Sequence, residues 1–338
     1  NIDIPNNKTI WKIEGNSKLT PNDNVTLIWK NNQGLTFEKI IKIDNQYLFT
    51  IEQKIKNSSD KIYSFYPYAQ IIRTKIPEII DFFILHEGPL GVLDDQLIEK
   101  DYKDILDKKY SKNANNGFLG ITDKYWLTSI IPQKNKKFRA DFEYNEKFKV
   151  NYIETDSYDS KPNAQISNIV NVVVAAKEVN VIDGYNESLG LKKFDLVIDW
   201  GWFYWIVKPL FFLNDYFFKL AGNYGIAIIL ITVCLRLAFF PLNNYAFKSM
   251  SRMKLVQPEM ARLKEIHKDD KMKLQQAMMQ LYKKEGINPV SGCLPILISI
   301  PFFFAIYKML FVTIEMRHQP FFGWIKDCLL YTSPSPRD

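Results

Sequence analysis

The stretch Tyr224–Leu242, YGIAIILITVCLRLAFFPL, decides the fold: 19 residues with no acid and a single base, Arg236. At about 1.5 Å per residue it spans roughly 28 Å as a helix, enough to cross a hydrocarbon core. Eleven of these residues are Ile, Leu, Val or Phe. Each contributes roughly −0.3 to −0.6 kcal/mol near a bilayer centre, against about +2.5 to +3.5 kcal/mol for one arginine. The helix therefore inserts in spite of its charge, and the charge needs a separate explanation. Thr232, Arg236 and Asn243 share one helical stripe if the helix runs on past Pro241. Two readings are open. Arg236 faces protein or trapped water in a wet intramembrane groove, or it lies near the end of the span and snorkels to the headgroups.

Working outward, a second span follows at Leu294–Val312, LPILISIPFFFAIYKMLFV, again 19 residues with one base, Lys308. Pro295 and Pro301 remove backbone hydrogen bonds and bend the helix, which a membrane tolerates where neighbouring protein or water satisfies the freed carbonyls. Such a kinked, aromatic-rich helix suits a greasy wall beside a groove. Ordinary lipid-facing surface is the competing reading. Between the spans, Asn243–Gly286 holds ten Lys and Arg against five acids, so the positive-inside rule makes it cytoplasmic. Met253, Val256, Met260 and Leu263, then Leu274, Met278 and Leu281, form apolar seams at helical spacing. They predict two helices joined at Lys268–Asp270. Six of the eight methionines lie here, suited to an adaptable surface or merely to the seam of the hairpin.

Upstream of the first span, FDLVIDWGWFYWIVKPLFFLNDYFFKL begins at Phe194 and carries three of the seven tryptophans within Trp200–Trp205. Clustered Trp and Tyr beside a span favour the membrane interface. Phe194–Ile206 is expected to be a helix lying on the membrane surface, unless Trp200–Trp205 packs against the preceding domain.

Residues 1–190 read as β structure. Asn24–Lys30, Leu35–Ile43, Gln46–Ile55, Ile62–Ile72, Phe138–Tyr144 and Lys147–Thr155 are strand-like runs separated by turn clusters. Ile166–Ala175 is expected to be a strand buried on both faces. This spacing suits a sandwich of two sheets. The acidic run Asp94–Asp107 suggests a solvated loop or short helix. His86 has no acid and serine at motif spacing. No catalytic constellation, P-loop or metal-ligand spacing occurs, so the expectation is a protein that is not an enzyme and needs no cofactor or metal.

Residues 1–193 carry a net charge of +1 and residues 194–338 a net +6. The excess base belongs to the hydrophobic half, pointing to a membrane surface rather than to nucleic acid. Cys234, Cys293 and Cys328 all fall in that half, so no disulfide framework holds residues 1–190. The fold class expected is an all-β sandwich followed by an α-helical membrane domain, with two spanning helices and a helical hairpin between them. The boundaries expected are 1–190 for the sandwich, 194–213 for the interfacial amphipathic helix, and 214–247 for the first span. The hairpin is placed at 248–287, the second span at 288–316 and a non-native tail at 328–338.

Several ordered blocks carry a family likeness: HEGPLGVLDDQL (His86–Leu97), GFLGITDKYWLTSIIP (Gly117–Pro132), KEVNVIDGY (Lys177–Tyr185) and FDLVIDWGWFYWIVKPLFF (Phe194–Phe212). GNYGIAIILITVCLRLAFFPL (Gly222–Leu242), KSMSRMKLVQPEM (Lys248–Met260) and Lys268–Leu310 add the most specific part. Together they resemble the YidC-type bacterial membrane protein insertases. The resemblance implies an inner-membrane, multi-pass protein with residues 1–190 in the periplasm and 248–287 in the cytoplasm. It implies a lone groove arginine, matched by Arg236, that engages polar or acidic parts of a nascent chain; Thr232 and Asn243, on its stripe, are taken with it as substrate-binding. Leu294, Pro295, Leu297, Ile298, Ile300, Pro301, Phe303 and Phe304 would belong to a slide for the substrate's own transmembrane segment, and the hairpin would receive incoming substrates. The implied partners are nascent membrane proteins, the Sec translocon, the ribosome and the phospholipid bilayer. Ser299 stands where related sequences often carry glutamine. The resemblance also implies further helices before Asn1 and after Asp327, with CLLYTSPSPRD a departure from the family pattern. The rival readings are a transporter or channel subunit with an extracytoplasmic β domain, and a binding module tethered by its helices.

Overall fold

The computed structural model describes residues 2–76, 85–268, 270–286 and 294–329. The chain divides into two compact units, one running to Asp199 and the other beginning at Trp200. In chain order, β1 to β5 are Lys12–Glu14, Val25–Lys30, Leu35–Ile43, Leu48–Asn57 and Tyr63–Phe65. Strands β6 to β10 are Tyr68–Arg73, Gly88–Leu93, Gln96–Glu99, Tyr110–Ala114 and Gly117–Thr122. Strands β11 to β15 are Trp126–Ile131, Phe138–Asn145, Lys147–Glu154, Tyr158–Ser160 and Gln165–Ala176. Helix α1 (Tyr102–Asp107) precedes β9, and α2 (Val179–Ser188) follows β15.

The first unit is the expected sandwich. A nine-stranded antiparallel sheet, β1-β2-β3-β4-β15-β11-β10-β7-β8, stands beside a four-stranded sheet, β6-β13-β12-β9, with β14 and β5 pairing as a ribbon. Alternation assigns the faces. Leu119, Ile121, Ile130 and Val170 of the large sheet meet Phe138, Ala140, Phe142, Phe148, Val150 and Tyr152 of the small one, with Tyr102 and Ile105 of α1, in one core cluster. Their sequence neighbours point the other way, and Phe118 there meets the ring of Phe194 edge-on at 4.9 Å. Strand β10 lies close against both its neighbours, β11 and β7, because two glycines allow it. A Cβ at Gly120 would lie 2.3 Å from the Thr128 carbonyl oxygen, and one at Gly117 (φ +133°) would lie 1.8 Å from that of Val92.

Three expectations change. Ile62–Ile72 is not one strand: Tyr66-Pro67 divides it into β5 and β6, since proline donates nothing to a ladder. The run Ile166–Ala175 lies inside β15 and buries Val170 and Val173, but Val174 is exposed, so burial is not two-sided along its length. The acidic run resolves into a turn at Asp94-Asp95, strand β8 and helix α1.

The second unit is helical. Helices α3 (Tyr204–Ala221), α4 (Tyr224–Leu255), α5 (Gln257–Ile266), α6 (Lys271–Lys284) and α7 (Leu294–Val312) follow in order. Among the described residues, α4 and α7 are the two helices long and apolar enough to cross a membrane. The surface helix expected at Phe194–Ile206 is corrected. Phe194–Val197 is a 3-10 turn, and Phe194, Val197 and Ile198 are buried. Gly201 (φ +70°) then breaks the chain, and the helix starts only at Tyr204. The tryptophans divide accordingly. Trp200 is buried with its ring 6.0 Å from that of Phe211, while Trp202 is 97% exposed and Trp205 largely so.

The turn between α3 and α4 follows from two residues. Gly222 takes the left-handed conformation that ends α3. Asn223 caps α4, its side-chain oxygen accepting from the Ile226 N–H at 3.2 Å. Phe218 and Tyr224 stack across the junction at 3.8 Å. The hairpin forms as its seams predict: Leu281 is buried, Met253, Val256, Met260, Leu263, Leu274 and Met278 are partly buried, and Tyr282 reaches the Met260 sulfur at 3.9 Å. Met272 and Met279 face outward instead. Part of the joint expected at Lys268–Asp270 and most of the tail lie outside the described residues.

Candidate functional site

Helix α4 continues without interruption through Pro241 to Leu255, so the condition for a shared stripe is met. At 100° per residue, Arg236 and Asn243 fall about 40° and 20° around the helix from Thr232. Arg236 lies twelve residues beyond Tyr224, roughly 18 Å along the axis. Its side chain is exposed and has no hydrogen-bond or ion-pair partner among the described residues. Thr232 is exposed, with its hydroxyl donating to the Ile228 carbonyl at 2.8 Å. Asn243 is partly buried, with no side-chain hydrogen bond among the described residues. A free guanidinium with a hydroxyl and an amide on the same stripe can bind carboxylates, carbonyls or water, and has no means of making or breaking a covalent bond.

The flank of α4 on the Thr232 side of this stripe is packed. Tyr224, Ala227, Ile231 and Ala246 are buried, and Phe239 meets Phe302 of α7 edge-on at 5.0 Å. Phe239 is three residues from Arg236, about 60° around the helix. Helix α7 therefore approaches α4 beside the turn that carries the arginine.

The structure separates the α7 residues singled out from sequence. Leu297, Ile300, Phe303 and Phe304 are exposed on one outward face that also carries Ile296 and Tyr307. Leu294 and Ile298 are only marginally exposed, and Pro295 and Pro301 are partly buried. They lean toward the packed stripe of Ala305 and Met309. Ser299 turns back on its own helix, its hydroxyl donating to the Pro295 carbonyl at 2.6 Å. An apolar ribbon of four residues thus remains from the original eight.

Two polar features of this unit were not foreseen. Lys308, noted only as the one base of its span, is 9% exposed, and a Cβ built on Gly201 would stand 3.3 Å from its Cε. Asn214 of α3 is fully buried and donates to the Met316 sulfur at 3.6 Å. An asparagine amid Leu and Phe was the available signal for the second. In the β unit, His86 is held by Asp101 (Nδ1 to Oδ1, 3.4 Å) and by Asp199, which accepts from its backbone N–H at 2.9 Å. Among the described residues no group of three or more His, Cys, Asp or Glu side chains is placed to hold a metal ion.

Comparison with known proteins covers nearly the whole chain. Residues 1–213 match the family described as the YidC periplasmic domain, and residues 216–331 match the 60Kd inner membrane protein family. The chain is 64% identical over 327 residues to the membrane protein insertase YidC of Pelagibacter ubique, covering 97% of this chain and 59% of that protein. To the same-named protein of Nitrobacter hamburgensis it is 46% identical over 348 residues, covering 98% of this chain and 57% of the relative. The chain thus spans somewhat under three fifths of the length of these curated relatives. Among solved structures, a galactose mutarotase related enzyme from Lactobacillus acidophilus overlaps 49% of this chain and 71% of its own, at 11% identity and a TM-score of 0.37. That likeness is too slight to bear on function.

Proposed function

This chain belongs to the family of YidC-type membrane protein insertases, and on that footing we propose that it inserts nascent proteins into the bacterial inner membrane and helps them fold. It does so alone or beside the Sec translocon, on polypeptides arriving from the ribosome. The β unit stands in the periplasm and the α5–α6 hairpin in the cytoplasm, as the ten bases between Asn243 and Gly286 favour.

The position of Arg236 carries this reading. A cation in the middle of an apolar span, unpaired among the described residues, costs insertion energy and returns nothing to the fold. Kept hydrated, it lowers the barrier for a polar segment crossing the bilayer by meeting it with water and positive charge partway. In a low-dielectric setting that charge acts more strongly than it would in bulk water. Thr232 and Asn243 widen the polar stripe. Leu297, Ile300, Phe303 and Phe304 offer the substrate's own apolar segment a surface on which to leave, by dispersion and burial with no chemical step.

Complementation of a depleted strain tests this, with the full-length protein and a substrate whose translocated segment is acidic. Arg236→Ala is expected to impair insertion, and Arg236→Lys to retain most of it. Wild-type insertion by the alanine variant would overturn the role given to Arg236.

A further inference from the structure

The first unit has two distinguishable ends. Register aligns the β3–β4 turn with the Ala176 end of β15, with Trp126 of β11 opposite Ala176 and with the β10–β11 turn. Arg73 of β6 pairs in register with Phe148 and donates to Asp123 through both terminal guanidinium nitrogens, Nη1 and Nη2. The β12–β13 turn therefore lies at this same end. Large side chains stand exposed there: Tyr47, Trp126, Tyr144 and Val174, each 44–60% accessible. Three of them are neighbours, with Val174 N–H donating to the Tyr47 carbonyl at 3.2 Å and Trp126 diagonal to Val174 on one sheet face. Lys124 lies over the Tyr125 ring at 4.9 Å, and Lys147 is exposed.

The chain leaves the unit at this end. After β15 it crosses to the opposite end, where Lys192 and Lys193 bond Asp95. It then returns through Phe194–Val197 to Asp199, held by His86. Four residues, and so five peptide steps, separate Asp199 from Tyr204, the first residue of α3. Fully extended, they reach no more than about 17 Å. The β unit is thus joined to the chain that leads into α3 at its aromatic end, by this short connection.

We propose that this end of the β unit rests in the phospholipid headgroup layer, with Tyr47, Trp126 and Tyr144 as its interfacial anchors. Rings with a wet N–H or O–H on an apolar body favour that layer, and lysines beside them can reach phosphates. Exposed Asp101 and Glu146 share the same end, so the contact is with the headgroup layer at large rather than with anionic lipid alone. This rests on the reading of α4 as a membrane span.

The test uses the whole chain with Cys234, Cys293 and Cys328 replaced by serine, in liposomes of phosphatidylethanolamine and phosphatidylglycerol. Single spin labels go at Asn45→Cys and Asn145→Cys beside the anchors, at Lys161→Cys at the opposite end, and at Leu237→Cys in α4. Collision with oxygen and with a water-soluble nickel chelate reads depth. The labels at 45 and 145 are expected to lose nickel contact relative to 161, and to regain it with Tyr47→Ser and Trp126→Ser together. If 45 and 145 match 161 while 237 reports acyl chains, the headgroup contact is wrong and the span stands. If 237 is also water-exposed, the membrane reading itself fails. Protection at 45 and 145 only in native membranes, and not in protein-free liposomes, assigns the surface to a protein partner and overturns the proposal.

Discussion

Asp141 offers a stability prediction whose sign and size both follow from geometry. It lies on the outer face of β12, yet its side chain is 2% exposed because its neighbours close over it. The Ser111 hydroxyl donates to one carboxylate oxygen at 2.6 Å, and Lys109 Nζ and Arg139 Nε meet the other at 3.1 Å each. Burial pushes this carboxyl up, but the hydrogen bonds from Ser111 and Lys109 and the charges of Lys109 and Arg139 outweigh it, leaving it below its ordinary value of 3.8. Asp141→Asn keeps the shape and the Ser111 bond but removes the charge. Both basic partners are about half exposed, so each lost ion pair is worth only about 0.2–1 kcal/mol. The expected cost at pH 7 is therefore about 1 kcal/mol, or about 2–4 °C in the melting temperature of a unit this large. A carboxyl with a depressed folded pKa contributes stability that is present above its unfolded value and lost as pH falls through the folded one. The gap between wild type and variant should thus be full above pH 5 and close below pH 3.8. Thermal melts of the detergent-solubilised chain, followed by near-ultraviolet circular dichroism from pH 3 to 7, check this. A gap that persists unchanged at pH 3 would refute the electrostatic origin of the cost.

Two further predictions concern the frame around the site. Gly120→Ala drives a methyl into the Thr128 carbonyl, and should cost about 1–3 kcal/mol or more of β-unit stability in urea melts, as overpacking does. Asn223→Ala removes the cap of α4 and a bond to the Phe321 carbonyl at 2.9 Å. It should lose about 1 kcal/mol, read as faster amide exchange confined to the first turn of α4.

The parts of the fold written in local pattern were legible from the chain. The two spans, the hairpin seams and the strands with alternating β-branched residues were each readable within a few residues. What escaped was set by distant contacts. Strands β7 and β10, GPLGVL and GFLGIT, contain glycines that lower strand propensity, and only the close approach of neighbouring strands explains them. The surface helix expected at Phe194–Ile206 rests on the cluster of Trp and Tyr beside the span, whereas Phe194 is committed to burial against Phe118, a contact distant in sequence. For the candidate site, the stripe of Thr232, Arg236 and Asn243 could be drawn from helix geometry alone. Which α7 residues face outward could not, because a helix apolar all round carries no periodic signal. The contact of Phe239 with Phe302 supplies that orientation.

A photoreactive residue placed at Thr232, one turn from an intact Arg236, gives the most direct view of the stripe while a ribosome-stalled membrane protein is being inserted. Crosslinks to the nascent chain, centred on the polar flank of its transmembrane segment and weakened by Arg236→Ala, are the predicted result. Crosslinks to phospholipid alone, with the stalled chain untouched, would contradict a hydrated arginine serving arriving polypeptides.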